Sequence, residues 1–458
     1  MKKSIIAATI LLVGIASLPI IGNSVMKTTL DEKVSELKSY GVETKKDEID
    51  SSYLSTSRHF EFELQDSKAF MSHLNQYSDK QVPAYTNAML DGVKFGVDVE
   101  YSNLPFAKAV SLDLYPLALA TELEDEIRIE DPQFFTYIEK FLSSKGVLYH
   151  IEYNFLNDDF KGNIKNIDEK YTMKDGVKFA VAIKDATFSG NGELLAPQRV
   201  DSTFKEIQLN LEQDNKNLHV LFTNFKTSNN FESKITYVTS AELEKMEVKI
   251  AGTGDDGLIV LKKLRMNASS NDQGAKVELN SKTSAEEFLI DSPKISVAMK
   301  HFNIDIALNG LDKSTVKELT ELLSDKEAMQ KPKAQEKFQS LALELVSKGF
   351  VFNIADFSLK NIKVNKTEDF KGFLVQSKLT LKEDADLKDK MKMSPMMAIQ
   401  NVELDTNINL SKKIYTALTE NRPMLASFRN FAKEDGENLI FKLEFKDSKA
   451  TVNGKPLN

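Results

Sequence analysis

Lys94-Phe95-Gly96-Val97-Asp98-Val99-Glu100-Tyr101 alternates apolar and polar residues. A period of two is the mark of a strand with one face buried and one face wet. The same alternation runs through His59–Leu64 and Ala109–Leu114. It continues in Val147–Phe155, Val177–Phe188, Phe204–Leu211, Leu218–Phe225, Met246–Ile250, Lys276–Leu279 and Ile295–Leu308. Polar turn signals punctuate these runs: Lys174-Asp175-Gly176, Ser189-Gly190-Asn191-Gly192 and Gly254-Asp255-Asp256-Gly257. Many strands joined by short turns describe a long antiparallel meander.

Helices are few. Residues 132–144 form a short amphipathic helix, with Phe134, Phe135, Ile138, Phe141 and Leu142 on its apolar side. Residues 314–347 form a longer pair split near Pro332. Val316, Leu319, Leu322 and Leu323, then Phe338, Leu341 and Leu345, supply the apolar faces, and Ser314 is the expected N-cap. The expected class is α+β, predominantly β, with long curved antiparallel sheets wrapping a few amphipathic helices.

One unit of sequence occurs twice. Phe141-Leu142-Ser143-Ser144-Lys145-Gly146 leads into the strand Val147–Ile151, with Asp159-Phe160-Lys161-Gly162 shortly after. Leu345-Val346-Ser347-Lys348-Gly349 leads into Phe350–Ile354, with Asp369-Phe370-Lys371-Gly372 after it. Each reads as a helix end, a left-handed glycine cap beside a lysine, a strand, a loop and a second strand. Two duplicated modules are therefore expected, at 58–290 and 291–458.

The N-terminus sets the compartment. Lys2 and Lys3 precede an apolar run from Ile5 to Ile21, broken by Thr9, Gly14, Ser17 and Pro19. Such a run behind two lysines is an export signal. Residues 1–25 are either a signal anchor in the bacterial inner membrane, inserted through residues 5–25, or a signal peptide cut near Ser24 after Gly22-Asn23-Ser24. The first leaves the body tethered in the periplasm; the second leaves it soluble or secreted. Residues 26–57 read as a stalk. Leu30, Val34 and Leu37 make a narrow helical face that Gly41 ends, and it packs on a second copy or on the body of this chain.

Composition narrows the function. The chain has 458 residues, a net charge of −8, no Cys and no Trp. An acidic exported body argues against nucleic acid as a partner. Without Cys there is no disulfide, no thiolate chemistry and no lipoprotein acylation site.

Features spread along the chain resemble the DUF945, or YdgA-like, family of bacterial envelope proteins of unknown function. They are the Lys-Lys apolar start, the stalk, the strand-rich body and the helix–Ser-Lys-Gly–strand unit at 338–354. To them is added the closing strand Ala450-Thr451-Val452-Asn453-Gly454-Lys455-Pro456-Leu457. The resemblance implies a periplasmic protein anchored in the inner membrane, and it supplies no catalytic residues. A more distant similarity to AsmA-like envelope proteins implies long sheets with an apolar groove.

No motif for chemistry stands out. His59, His73, His150, His219 and His301 lack metal-ligand spacing, so no catalytic, cofactor or metal residue is assigned. His150 and Glu152 share one strand face and read as a solvated pair. Gly252–Gly257 reads as a hairpin turn, because Leu258-Ile259-Val260 follows where a calcium loop needs further oxygen ligands. Met391, Met393, Met396 and Met397 beside Pro395 read as an apolar lip or core patch. Lys382–Lys392 alternates charge and reads as a solvated connector.

Three functions remain. The leading one is a non-enzymatic binder of an apolar ligand such as lipid in a β-sheet groove. The others are a scaffold that forms a homodimer through its stalk, and an envelope hydrolase.

Overall fold

The computed structural model describes residues 27–71, 90–102, 109–154, 156–193, 196–233, 235–252, 254, 256–324, 332–365 and 369–457. The expected export segment at 1–25 lies outside them. Among the described residues, no helix is long and apolar enough to cross a membrane. The protein is α+β, predominantly β, and among the described residues the strand pairings are antiparallel. The chain divides into two compact units, Met1–Asn230 and Phe231–Asn458.

The first unit opens with α1 (Lys27–Ser39), then β1 (Val42–Ser51), β2 (Ser55–Leu64), β3 (Lys94–Ser102) and β4 (Ala109–Ala118). Next come α2 (Thr121–Glu130), α3 (Pro132–Ser143), β5 (Tyr149–Asn154), β6 (Asp159–Ile164) and β7 (Ile167–Thr172). Three long strands close it: β8 (Lys178–Glu193), β9 (Ala196–Gln213) and β10 (Lys216–Ser233). β1 to β6 pair in chain order. β6 and β7 then share one edge of β8, which pairs onward with β9, and β9 with β10.

The alternation decides which face is buried. Phe60, Phe62, Phe95, Val97, Val99, Leu112, Leu114, Tyr149 and Ile151 form one core, while the residues between them lie on the other, more exposed face, apart from Gly96, which Tyr115 covers. The stretch expected as a stalk contributes to this body. β1 is a strand on β2, Leu37 is buried in the core, and Val34 packs against it. Of the two partners open to that helical face, these two residues use the body of this chain. α3 buries Phe134, Phe135, Ile138 and Leu142, with Asp131 as N-cap accepting from the Phe134 amide at 3.0 Å. α2 was not anticipated, because Thr121–Glu130 is largely charged and buries only Ile127.

The second unit runs β11 (Thr236–Ala251), β12 (Gly257–Gln273), β13 (Lys276–Asp291), β14 (Ser296–Asp312), α4 (Lys313–Ser324) and α5 (Pro332–Ser347). It continues β15 (Phe350–Val364), β16 (Phe370–Leu381), α6 (Leu387–Met393) and a 3₁₀ segment, Pro395–Asn401. It ends with β17 (Val402–Ser411), α7 (Lys412–Asn421), a 3₁₀ segment Pro423–Phe431, β18 (Lys433–Asp435), β19 (Asn438–Lys446), β20 (Lys449–Val452) and β21 (Lys455–Pro456). β11 to β17 pair in chain order, and β17 then pairs with β19. The expected module border at 290 falls at the end of β13, whose neighbours β12 and β14 both lie in the second unit. The ladders align an apolar row, Ile304–Phe357–Val375–Ile408–Phe441. Tyr415 of α7 covers its Phe441 end, with ring centroids 6.0 Å apart.

The repeated sequence has the same element order in each unit. β4 is followed by a helix pair and then β5 and β6; β14 is followed by a helix pair and then β15 and β16. The Asp-Phe-Lys-Gly glycine plays the same part in both. A Cβ on Gly162 would stand 2.4 Å from the His150 carbonyl oxygen, and one on Gly372 would stand 1.7 Å from that of Leu359. Only glycine lets the new strand come so near the one before it.

Three local expectations change. Gly349 is left-handed as expected, but in the first copy the left-handed residue is Lys145, not Gly146. Gly146 is small because the Phe141 ring lies where its Cβ would be. The N-cap of α4 is Asp312 rather than Ser314: its Oδ1 accepts from the Thr315 amide at 2.9 Å and from both neighbouring hydroxyls. Ser189-Gly190-Asn191-Gly192 is not a turn but the end of β8. Its Gly190 lies opposite Phe160, whose ring fills the space a side chain would take.

Candidate functional site

Strand β5 carries the candidate site on one face and a polar ladder on the other. On the apolar face, Tyr149 and Ile151 meet Phe160 and Ile164 of β6, Phe188 of β8 and Phe204 of β9 around a cavity of about 270 Å³. Ser202, across from Phe188, adds a hydroxyl to this face, and Ala186, Thr187, Pro197 and Val200 complete the lining. The cavity exists because of two reciprocal pairs. Phe160 lies across from Gly190, and Phe188 across from Gly162. Each ring folds over the glycine facing it, at 2.3 Å and 2.4 Å from the ideal Cβ positions. Aromatic rings laid over glycines stiffen a strand pair that glycine alone would weaken. A third such pair, Tyr115 over Gly96, joins β4 to β3.

The opposite face carries a straight cross-strand row, Glu48–His59–Asp98–Asp113–His150–Asn163. His59 Nδ1 lies 2.6 Å from Asp98 Oδ1, and His150 Nδ1 lies 2.7 Å from Asp113 Oδ1. Tyr115 donates to Asp98 at 3.2 Å, and Lys145 of the α3 cap bonds its other oxygen. Ser57, Arg58 and Ser111 also border this open cleft of about 510 Å³.

Charge at the cleft is settled by these contacts. Partial burial opposes a charged ring at His59, but the bonds to Asp98 and Glu61 outweigh it and raise its pKa. Burial likewise opposes ionised Asp98, and the bonds from Lys145 and His59 outweigh it and hold its pKa low. Burial, and then the Asp98 charge, push the Tyr115 phenol well above its ordinary range.

This is ion-pair chemistry. A hydrolytic histidine holds a hydroxyl nucleophile at Nε2 and a carboxylate at Nδ1. His59 Nε2 faces Glu61 at 3.3 Å, and His150 Nε2 faces Glu152 at 3.8 Å. With a carboxylate on each side, the protonated form of His59 is favoured, which works against its use as a base.

The expected His150–Glu152 pair is thus present, but Asp113 is the closer partner. No sequence signal gave the row, because register across strands is not written in any one strand. Among the described residues, no group of three or more His, Asp or Glu could hold a metal ion. Met391 is half-buried and Met397 exposed, while the side chains of Met393 and Met396 lie outside the description. Gly252-to-Gly257 joins β11 to β12, closed by the Gly252 amide on Asp256 Oδ1 at 2.7 Å. The serines of both caps bond their own helices: Ser143 to Lys140, Ser144 to Phe141 and Ser347 to Glu344 carbonyls.

Compared with protein families, residues 155–458 match the model described as bacterial protein of unknown function (DUF945). The chain belongs to the DUF945 family. The DUF945 match takes in β6, β8 and β9 of the apolar cavity and the whole second unit. It begins after His59, Asp98, Asp113 and His150, so the polar row lies outside it except for Asn163. No curated protein and no solved structure matches the chain.

Proposed function

We propose that this DUF945 protein is a non-enzymatic envelope protein that holds an apolar ligand, a lipid acyl chain, in the cavity between β5, β6, β8 and β9. One observation carries the reading: a cavity of about 270 Å³ walled by Tyr149, Ile151, Phe160, Ile164, Phe188 and Phe204. Sites for compact small molecules span about 300–1,000 Å³, so this one suits a single slender chain. The hydroxyl of Ser202 offers a hydrogen bond to one polar end. The N-terminal run supports the location: residues 5–25 hold the chain at the inner membrane, with its body in the periplasm.

Two observations favour this over the other readings. Val34 and Leu37 are engaged in this chain's own core, which leaves less of the stalk face for a second copy. The histidines of the polar row pair with carboxylates, and the Tyr115 hydroxyl beside His59 donates to Asp98, which disfavours a hydrolase built on them.

The test is native mass spectrometry, with organic extraction, on the full chain purified in mild detergent from its own membranes. A phospholipid or fatty acid at fixed ratio is the expected result. An empty protein of clean dimer mass would favour the scaffold.

A further inference from the structure

The first unit has one apolar end. Thr56, Tyr101, Val110 and Tyr153 lie on one row across β2 to β5. Just beyond that row, the β1–β2 turn exposes Tyr53 at 90% and Leu54 at 57%, and the β5–β6 turn exposes Leu156 at 63%. At the opposite end the turns are polar, with Lys174-Asp175-Gly176 joining β7 to β8 and Asp214-Asn215 joining β9 to β10, although Ile129 at the end of α2 is exposed near the first of them. Single exposed apolar residues are ordinary, but their gathering at the turns of one sheet end marks an interaction surface.

The direction of α1 says what that end faces. Arg58, 6% exposed, bridges Asp31 of α1 and Asp47 of β1, each at 2.6 Å. Leu37, near the other end of α1, packs with Val42 and Leu64. So α1 runs antiparallel to β1, and its first residue, Lys27, points toward the Tyr53 turn. Asp31 to Lys27 adds about 6 Å along the helix. From Lys27 back to Ile21, the end of the apolar run, the chain spans at most about 20 Å. The described chain therefore begins, at Lys27, at the end that carries Tyr53, Leu54 and Leu156.

We infer that this end docks on the lipid surface, with Tyr53, Leu54 and Leu156 at headgroup level. The inference rests on the anchor reading under Proposed function. Tyrosine suits that depth, with an apolar ring and a polar tip. Asp50 and Glu100 stand just behind the turns, so contact comes from apolar insertion rather than attraction to anionic lipid.

The chain has no Trp, so one introduced Trp is a unique reporter. The full-length Tyr53→Trp, Leu156→Trp, Lys174→Trp and Leu12→Trp variants are reconstituted in phosphatidylethanolamine–phosphatidylglycerol vesicles with brominated acyl chains. Tyr53→Trp and Leu156→Trp should each lose roughly half their fluorescence, as rings at the interface do, while Lys174→Trp keeps its own. If Leu12→Trp is quenched and both turn variants behave like Lys174→Trp, the docking inference falls and the anchor stands. If Leu12→Trp is not quenched, the anchor reading falls and takes the docking inference with it.

Discussion

The ring of Phe188 occupies the space a side chain at Gly162 would need, with its Cζ 2.4 Å from the ideal Cβ position. The His150 carbonyl oxygen stands equally near on the β5 side. An added methyl group thus meets both an aromatic wall of the cavity and a backbone that cannot yield. Gly162→Ala should destabilise the first unit by about 1–3 kcal/mol, the usual cost of overpacking. Urea unfolding measures it. Phe188→Ala added to Gly162→Ala should restore only part of the loss, because the carbonyl contact remains.

Arg58 ties α1 to the sheet through two carboxylates, and its charge is raised in stability by its bonds to Asp47 and then Asp31. Asp31 and Asp47 are themselves partly solvated. Arg58→Gln should therefore loosen α1 without unfolding the unit. Hydrogen exchange of amides 27–39 should speed up by about tenfold, while β3 and β4 stay protected.

His59 gives a pH dependence of definite sign. Its folded pKa lies above the ordinary value, so its contribution is complete below about pH 6.5. That contribution is lost as pH rises through the folded value. Wild type should exceed His59→Gln in stability by more at pH 5.5 than at pH 8.5. Urea midpoints at the two pH values test this, and equal differences would contradict the ion pair with Asp98. Asp98 works in the opposite sense: its depressed pKa keeps its contribution until the solution becomes strongly acidic.

Asp312 caps α4 and pairs with Lys348 at 2.9 Å. Burial alone would raise its pKa, but hydrogen bonds from Ser314, Lys348 and Thr315 outweigh it and hold the carboxyl far below its usual range. Asp312→Ala should cost about 2 kcal/mol as a lost cap and a weakened ion pair. Asp312→Asn should cost less, since its amide oxygen still accepts from the Thr315 amide. Thermal unfolding of the three proteins orders them.

Many strands were legible where their period of two survives, as in His59–Leu64 and Lys94–Tyr101, whereas β1 lay hidden in the stretch expected as a stalk and β17 and β19 were not read. The helix pair around Pro332 was legible from its spacing. What misled was residue chemistry with two uses. Ser189–Gly192 has turn composition, yet its glycine is there to admit Phe160. Ser314 has cap chemistry, yet Asp312 is better placed by two residues. The candidate site was less legible. Phe160 and Gly162 were visible as part of a repeat, but their partners Gly190 and Phe188 depend on register. So does the row from His59 to His150, whose members come from four strands.

The most direct test of the central claim compares wild type with Ser202→Trp by native mass spectrometry after purification from native membranes. Ser202 lines the cavity and is partly exposed, so a bulky ring there fills the space without entering the core. Wild-type protein should carry one acyl-chain lipid, and the folded variant should carry none. A wild type that emerges empty, or a variant loaded equally, would contradict that claim.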